Sequence, residues 1–240
     1  MYFTPFCESC CDDIFSDVSC GICPATIDFC GILSTKCPTT VTGIATEAAF
    51  CGETNGEAVK QEMELEPDRK TVLVMSGGFG VGPMREILLA LASCTEKLQV
   101  IAVCGHNEQL YRDLNCVRRR LSYPVKVIGF TDRVPELMAA SDLMISKAGG
   151  ISVTEALNSL TPMILFDSIP GQEFWNEELL LRRGASLKAS NYKEIAEMTD
   201  RALLSQDVYE SLVESIKELR SPSAAEKIAR TVLSELTEGS

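Results

Sequence analysis

Two short stretches of this 240-residue chain combine residue types that could do chemistry. The first runs Lys147-Ala148-Gly149-Gly150-Ile151-Ser152-Val153-Thr154-Glu155-Ala156. It places two glycines at the end of an apolar run and opens a helix behind them. A helix start presents unpaired backbone N–H groups and a partial positive charge, which suits a phosphate. Glu155 follows about one helical turn in, where its carboxylate could accept hydrogen bonds from sugar hydroxyls. The second stretch, Pro170-Gly171-Gln172-Glu173-Phe174-Trp175-Asn176, sets further polar groups after the next apolar run. Together they describe a site for a phosphorylated sugar nucleotide.

Elements must exist to hold these groups in place. Thr71-Val72-Leu73-Val74-Met75 is a continuous apolar run ending in Ser76-Gly77-Gly78-Phe79-Gly80, as expected of a buried parallel strand entering a tight turn. The pattern then alternates. Ile87, Leu88, Leu91 and Ala92 have helical spacing. Further strands are expected at 99–104, 125–130, 143–146 and 162–166, with a short one at 185–187. Helices are expected at 111–121, 134–140, 152–160 and 173–183, the last closed by Gly184, and again from Tyr192 and over 207–236. A short helix is expected within the polar, acidic stretch 52–70. Strands alternating with helices imply right-handed crossovers, and so an α/β fold with a doubly wound, Rossmann-like parallel sheet. Ligands in such sheets bind beyond the carboxyl ends of the strands. The glycines at 77–80, 105, 129 and 149–150 all fall there.

Bulk properties exclude some functions. The net charge is −12, which argues against nucleic acid as a partner. The only basic run, Arg118-Arg119-Arg120, reads as a solvated helix end, with a patch for anionic lipid heads as the alternative. No segment approaches the ~20 apolar residues that span a bilayer. Met1 to Phe6 lack the charged and apolar regions of a signal peptide, so a cytosolic chain, peripheral to a membrane at most, is expected. Of eleven cysteines, eight fall within the first 51 residues, and an odd total argues against a fully paired disulfide framework. Cys7-x-x-Cys10 and Cys20-x-x-Cys23 could wrap a zinc ion, but the gap is short for a zinc ribbon and the extra cysteines crowd it. No metal site is expected.

Each functional reading has a plainer rival. Gly77-Gly78-Phe79-Gly80 does not fit the dinucleotide spacing G-x-G-x-x-G, and no acidic residue follows about 20 positions on, so a nicotinamide cofactor is not expected. Glu155 could be an early-helix carboxylate favoured by the helix dipole alone. Gln172 and Glu173 could simply cap their helix. His106, the single histidine, reads as a cleft-edge residue and not as a general base. Trp175 reads as a packing residue.

Six segments in order resemble the C-terminal domain of two-domain GT-B glycosyltransferases, within them the monogalactosyldiacylglycerol synthases and processive diacylglycerol glucosyltransferases of the family 28 type. These are Val41-Thr42-Gly43-Ile44; Met75 to Pro83; Cys104-Gly105-His106-Asn107; Val127-Ile128-Gly129-Phe130; Lys147 to Gly150 with Glu155-Ala156; and Ile169 to Glu173 with Asn176.

The resemblance implies one half of a GT-B fold and a UDP-sugar donor, with no other cofactor. It implies that the backbone of Gly129, Phe130 and Thr131 holds the uracil and that Gly149, Gly150, Ile151 and Ser152 hold the diphosphate. It gives Glu155 the ribose, Gly171, Gln172 and Glu173 the side facing the donor sugar, and Asn176 a place one turn along. Gly77, Gly78 and Gly80 would face the inter-domain cleft. The implied domains are a cysteine-rich remnant of the N-terminal acceptor domain over 1–40, a linker over 41–70 and a UDP-sugar-binding domain over 71–240. Cys11 to Phe15 look like the entry to the remnant's last strand and helix.

The implied reaction transfers a hexose from a UDP-sugar to a diacylglycerol-type lipid at a membrane surface, inverting the anomeric centre. The acceptor site and catalytic base would lie in an N-terminal domain, so no catalytic residue is assigned. Two alternatives stay open: a UDP-N-acetylglucosamine transferase acting on a lipid-linked cell-wall precursor, and a non-catalytic UDP-sugar-binding subunit that pairs with a separate chain. Ala45 stands where the family tends to have proline, which would loosen the hinge.

Overall fold

The computed structural model describes residues 40–52, 54–78 and 80–238. The zinc reading of Cys7, Cys10, Cys20 and Cys23, the strand entry at Cys11 to Phe15, and Phe79 lie outside the described residues.

The strands are β1 (Lys70–Met75), β2 (Leu98–Val103), β3 (Val125–Ile128), β4 (Leu143–Ser146), β5 (Met163–Leu165) and β6 (Leu187–Lys188). They form one sheet in the order β3-β2-β1-β4-β5-β6, with every pairing parallel. Helices α1 (Gly56–Glu62), α2 (Met84–Leu91), α3 (Glu108–Val117), α4 (Val134–Ala139), α5 (Gly150–Asn158), α6 (Gln172–Arg182) and α7 (Tyr192–Leu204) alternate with them. Two more, α8 (Gln206–Leu219) and α9 (Ala224–Glu238), close the chain. Among the described residues no helix is long and apolar enough to cross a membrane.

The strands are apolar throughout because both faces of the sheet are covered. Alternation along each strand divides the core in two. Val72, Val74, Val100, Ala102, Ile145 and Ile164 pack on one face with Met84, Leu88 and Leu91 of α2, Leu114 of α3 and Ile195 of α7. Leu73, Met75, Ile101, Val103, Met144 and Leu165 pack on the other with Leu137 of α4, Val153 and Ala156 of α5, and Leu180 of α6. Phe50 and Leu65, from before β1, complete this second layer.

The stretch 41–70 is tied to the domain at several points. Ala48–Cys51 form a 3₁₀ turn that buries Phe50. The Arg133 guanidinium at the start of α4 grips both carboxylate oxygens of Glu62 in α1 at 2.8 Å each. Buried Gln99 of β2 accepts from the Glu66 N–H at 2.9 Å and donates to the Glu66 carbonyl at 2.9 Å, so the entry to β1 is fixed.

Element types follow the sequence expectation, but several ends differ. α3 starts three residues before Tyr111, because the Asn107 side chain accepts the Leu110 N–H at 2.9 Å and caps it. It ends at Val117, and Arg118–Arg120 continue as a 3₁₀ turn instead of α-helix to residue 121. α5 starts at Gly150, two residues before Ser152, with extended Gly149 as its N-cap. β3 stops at Ile128, so Gly129 and Phe130 belong to the loop. The short last strand is Leu187–Lys188 and not 185–187, since Ala185 still belongs to the end of α6. There Gly184 has φ +67° and donates to the Leu181 carbonyl at 3.1 Å, while Ala185 donates to Leu180 at 2.9 Å. This is the double hydrogen bond of a Schellman end, in which glycine avoids the Cβ penalty.

Candidate functional site

From β1 the chain moves to β2 on one side, and from β4 it moves to β5 on the other. At such a reversal the crossover helices part, leaving a crevice beyond the carboxyl ends of β1 and β4. The loops after β1, β2, β3, β4 and β5 surround it, and every site residue expected from sequence lies on one of them or within the first two turns of α5 and α6.

The loops after β1 and β2 are pressed backbone to backbone. A Cβ on Gly80 (φ +58°) would stand 2.0 Å from the Cys104 carbonyl oxygen, and one on Gly105 (φ +57°) would stand 2.2 Å from that of Gly78. The His106 N–H donates to the Gly78 carbonyl at 3.0 Å, and the Asn107 side-chain amide donates to the Gly80 carbonyl at 2.9 Å. Gly80 is therefore a buried packing glycine. Gly77 and Gly78 have open space where a Cβ would stand, so they, and not Gly80, border the opening.

Gly149 also borders open space. The first N–H of α5 with an intrahelical partner is that of Val153, which donates to Gly149 at 2.9 Å. The N–H groups of Gly150, Ile151 and Ser152 have no hydrogen-bond partner among the described residues, as the first turn of a helix dictates. Ile151 points outward, 64% exposed.

α6 braces this helix start. A Cβ on Gly150 would meet Gln172 Nε2 at 2.9 Å and Asn176 Nδ2 at 3.7 Å. Asn176 donates to the Ala148 carbonyl at 2.9 Å. One Glu173 oxygen accepts the Ile169 N–H at 2.8 Å, which holds the loop that carries Gly171 (φ +111°). Glu173 is thus engaged by its own loop, and Asn176 by the β4 loop.

Glu155 is half-buried on α5. Burial first, and then the negative charge of Glu47, push its carboxyl up to about 7. Around neutral pH it therefore exchanges its proton readily, and a ligand that donates hydrogen bonds to it would favour the charged form.

At the far end of the crevice, Phe130 is 63% exposed and its ring stacks on His106, with centroids 4.0 Å apart and planes at 17°. His106 thus lies at the cleft edge against an aromatic neighbour. The Thr131 hydroxyl accepts the Arg133 N–H at 3.1 Å and shapes the turn after Gly129. Trp175 is 43% exposed and meets Phe174 edge-on at 5.3 Å.

Lys147, just before the glycine pair, has no role in the sequence expectation. Its side chain is largely buried, 3.6 Å from the Asp167 carboxylate, and a Cβ on Gly82 would stand 3.4 Å from its Cε. It therefore puts a cation between the β1 and β5 loops, beside the α5 start. A lysine ending a buried apolar strand was the available signal. Ile44 also reaches the α5 start, its Cδ1 3.3 Å from where a Cβ on Gly150 would stand, and only the tertiary fold brings it there.

The crevice thus offers unpaired N–H groups and a lysine for an anion, a carboxylate one turn deeper for hydroxyl donors, and an exposed aromatic face for a flat ring. Residues 71–238 match the glycosyltransferase family 28 C-terminal domain. The chain is 31% identical over 195 residues to a processive diacylglycerol beta-glucosyltransferase of Bacillus subtilis (strain 168), covering 81% of this chain and 51% of that protein. The chain spans about half the length of the curated relatives that it matches. Its fold is similar to that of Anabaena Alr3699/HepE solved in complex with UDP (TM-score 0.63, 19% identity, 82% of this chain and 57% of that one). It is also similar to that of MurG from Acinetobacter baumannii (TM-score 0.63, 14% identity, 82% and 57%).

Proposed function

The chain belongs to glycosyltransferase family 28, carrying its C-terminal domain, and on that premise we propose that it supplies the donor site for transfer of a hexose from a UDP-sugar to a diacylglycerol-type lipid. The observation that carries this reading is the free helix start of α5 at the sheet's switch point, with Glu155 one turn deeper. In this proposal the N–H groups at 150–152 take the diphosphate, with Lys147 near it. Glu155 accepts from the ribose hydroxyls. The backbone of Gly129 to Thr131 holds the uracil beside Phe130. Gln172 and Glu173 face the hexose behind the turn at Gly171, and Asn176 keeps the two loops in register.

The acceptor hydroxyl attacks the anomeric carbon from the face opposite the leaving group, so the centre inverts. UDP departs, and the charge that grows on its diphosphate meets donors already in place. No metal is invoked. The base and the lipid site belong to the other half of the enzyme. The curated relatives at 31–33% identity are named as diacylglycerol glucosyltransferases, which supports diacylglycerol over a cell-wall precursor as the acceptor in this reading.

Calorimetric titration of the purified chain with UDP and UDP-glucose tests the donor site. Heat of binding at sub-millimolar concentration is expected, and none at millimolar UDP would reject the reading. Turnover on diacylglycerol vesicles, measured with and without an added acceptor domain, tests the acceptor. Product with a cell-wall precursor alone would reject the diacylglycerol assignment.

A further inference from the structure

We propose that Asp167 is a positioning residue of the donor site that acts through Lys147: it holds the Lys147 ammonium while the crevice is empty and yields it to the diphosphate when nucleotide binds. The inference rests on the nucleotide reading above and adds to it the exchange of one anionic partner for another. Lys147 directly follows β4, at the carboxyl end of the sheet where the crevice lies. The β1 loop confines its stem. A Cβ on Gly82 would stand 3.4 Å from Lys147 Cε and 2.9 Å from Ser76 Oγ, so there is little free space on that side. The side chain is only 14% exposed. The cation is therefore kept between the β1 and β5 loops, and what can change is its partner.

The present partner is poorly matched. Asp167 Oδ2 lies 3.6 Å from Lys147 Nζ, within reach of an ion pair but beyond a hydrogen bond. Among the described residues no other carboxylate pairs with Lys147, and its ammonium donates no hydrogen bond. An ammonium carries three donors, and leaving them unused in a largely buried place is unfavourable. A phosphate oxygen accepts such donors at about 2.8 Å. The loop that carries Asp167 is pinned on both sides. The Phe166 N–H donates to the Ser146 carbonyl at 3.0 Å, the Ala148 N–H to the Ser168 hydroxyl at 3.4 Å, and the Ile169 N–H to Glu173 at 2.8 Å. The Asp167 side chain is 49% exposed, so its carboxylate returns to water at little cost when the ammonium leaves it. Bound diphosphate therefore replaces Asp167 as the counter-charge. When UDP departs the pair re-forms, so the same carboxylate that opposes binding favours release of the product.

The test is titration of the wild-type chain, Asp167→Asn, Lys147→Met and the double variant with UDP and with uridine, which lacks the phosphates. Asp167 has φ +60°, a left-handed conformation that asparagine also tolerates, so Asp167→Asn keeps the loop. It is expected to bind UDP about 2- to 5-fold tighter than wild type, with uridine unchanged. Lys147→Met is expected to bind UDP about 10-fold more weakly, again with uridine unchanged. In the Lys147→Met background the gain from Asp167→Asn disappears, because the carboxylate acts through the ammonium. The same gain in both backgrounds overturns the exchange, as does equal affinity of Asp167→Asn and wild type for UDP; both leave the nucleotide reading intact. A crystal structure of the wild-type chain with UDP gives a check that needs no variant. Lys147 Nζ is expected at about 3 Å from a phosphate oxygen and parted from Asp167. An ammonium still paired with Asp167 beside bound UDP overturns the exchange. Absence of UDP binding by the wild type overturns the nucleotide reading, and the exchange with it.

Discussion

Glu155 pays for its role in stability. Its folded-state pKa, about 7, lies above the ordinary 4.5, so the folded chain holds a proton that the unfolded chain has released. The resulting stabilisation is full below about pH 4.5 and is lost as pH rises through 7. Glu155→Gln, which carries no charge to desolvate, is therefore expected to be more stable than wild type at pH 8 by roughly 2–3 kcal/mol, with the gap closing toward pH 4.5. Urea unfolding at both pH values measures this; equal gaps would show that the carboxyl is not strained by ionisation. The same residue is expected to serve binding in the opposite sense. Glu155→Ala should weaken UDP by about 1–3 kcal/mol at pH 8 through lost charged hydrogen bonds. Unchanged calorimetric affinity in a folded variant rejects the ribose role.

At the scale of elements, the crevice depends on how closely loops approach. Gly105 combines a left-handed backbone with a would-be Cβ 2.2 Å from a carbonyl oxygen, so Gly105→Ala must part the β1 and β2 loops. Gly77 has the left-handed backbone without the clash. Gly77→Ala is expected to cost about 1 kcal/mol of strain, and Gly105→Ala about 3 kcal/mol or more with weakened UDP binding. Chemical denaturation of the two side by side gives the comparison, and equal losses would mean that the loops part freely. The sequence placed glycines at all these strand ends but could not sort them. Gly77, Gly78, Gly80 and Gly105 look alike in sequence, and only the neighbouring loop decides which one faces open space and which is packed. Likewise the apolar runs announced the strands, whereas the ends of α3 and α5 were set by a cap at Asn107 and by an extended Gly149, which apolar spacing does not report.

For the whole molecule, both faces of the sheet are covered by helices from within residues 40–238, and Phe50, Leu65 and Ile216 belong to the same buried layer. The domain therefore carries its own core. Thermal unfolding of the chain is expected as one cooperative transition, with far-ultraviolet circular dichroism and Trp175 fluorescence coincident. Saturating UDP at 100 times Kd should stabilise that transition by about 2.7 kcal/mol. Two separated transitions, or UDP acting on only part of one, would divide the site from the core. Ile101→Ala, at the centre of β2, should cost about 2–5 kcal/mol whether UDP is present or not.

The sequence alone determined the alternation of strands and helices, the parallel doubly wound sheet, and the strand ends where a ligand must sit. Those properties follow from local spacing, because a strand buried on both faces is apolar throughout and a helix start needs a turn before it. The resemblance carried by six ordered segments pointed to the family. Only the tertiary structure showed that Thr46 meets Asn158 of α5, that Lys147 lies between the β1 and β5 loops, that His106 stacks on Phe130, and that Asn176 is held by the β4 loop. Each of these approaches joins segments separate in sequence and is fixed by packing, which leaves no period or spacing in the chain to read, whereas the Glu173 contact to Ile169 is local and fits the cap reading of the sequence.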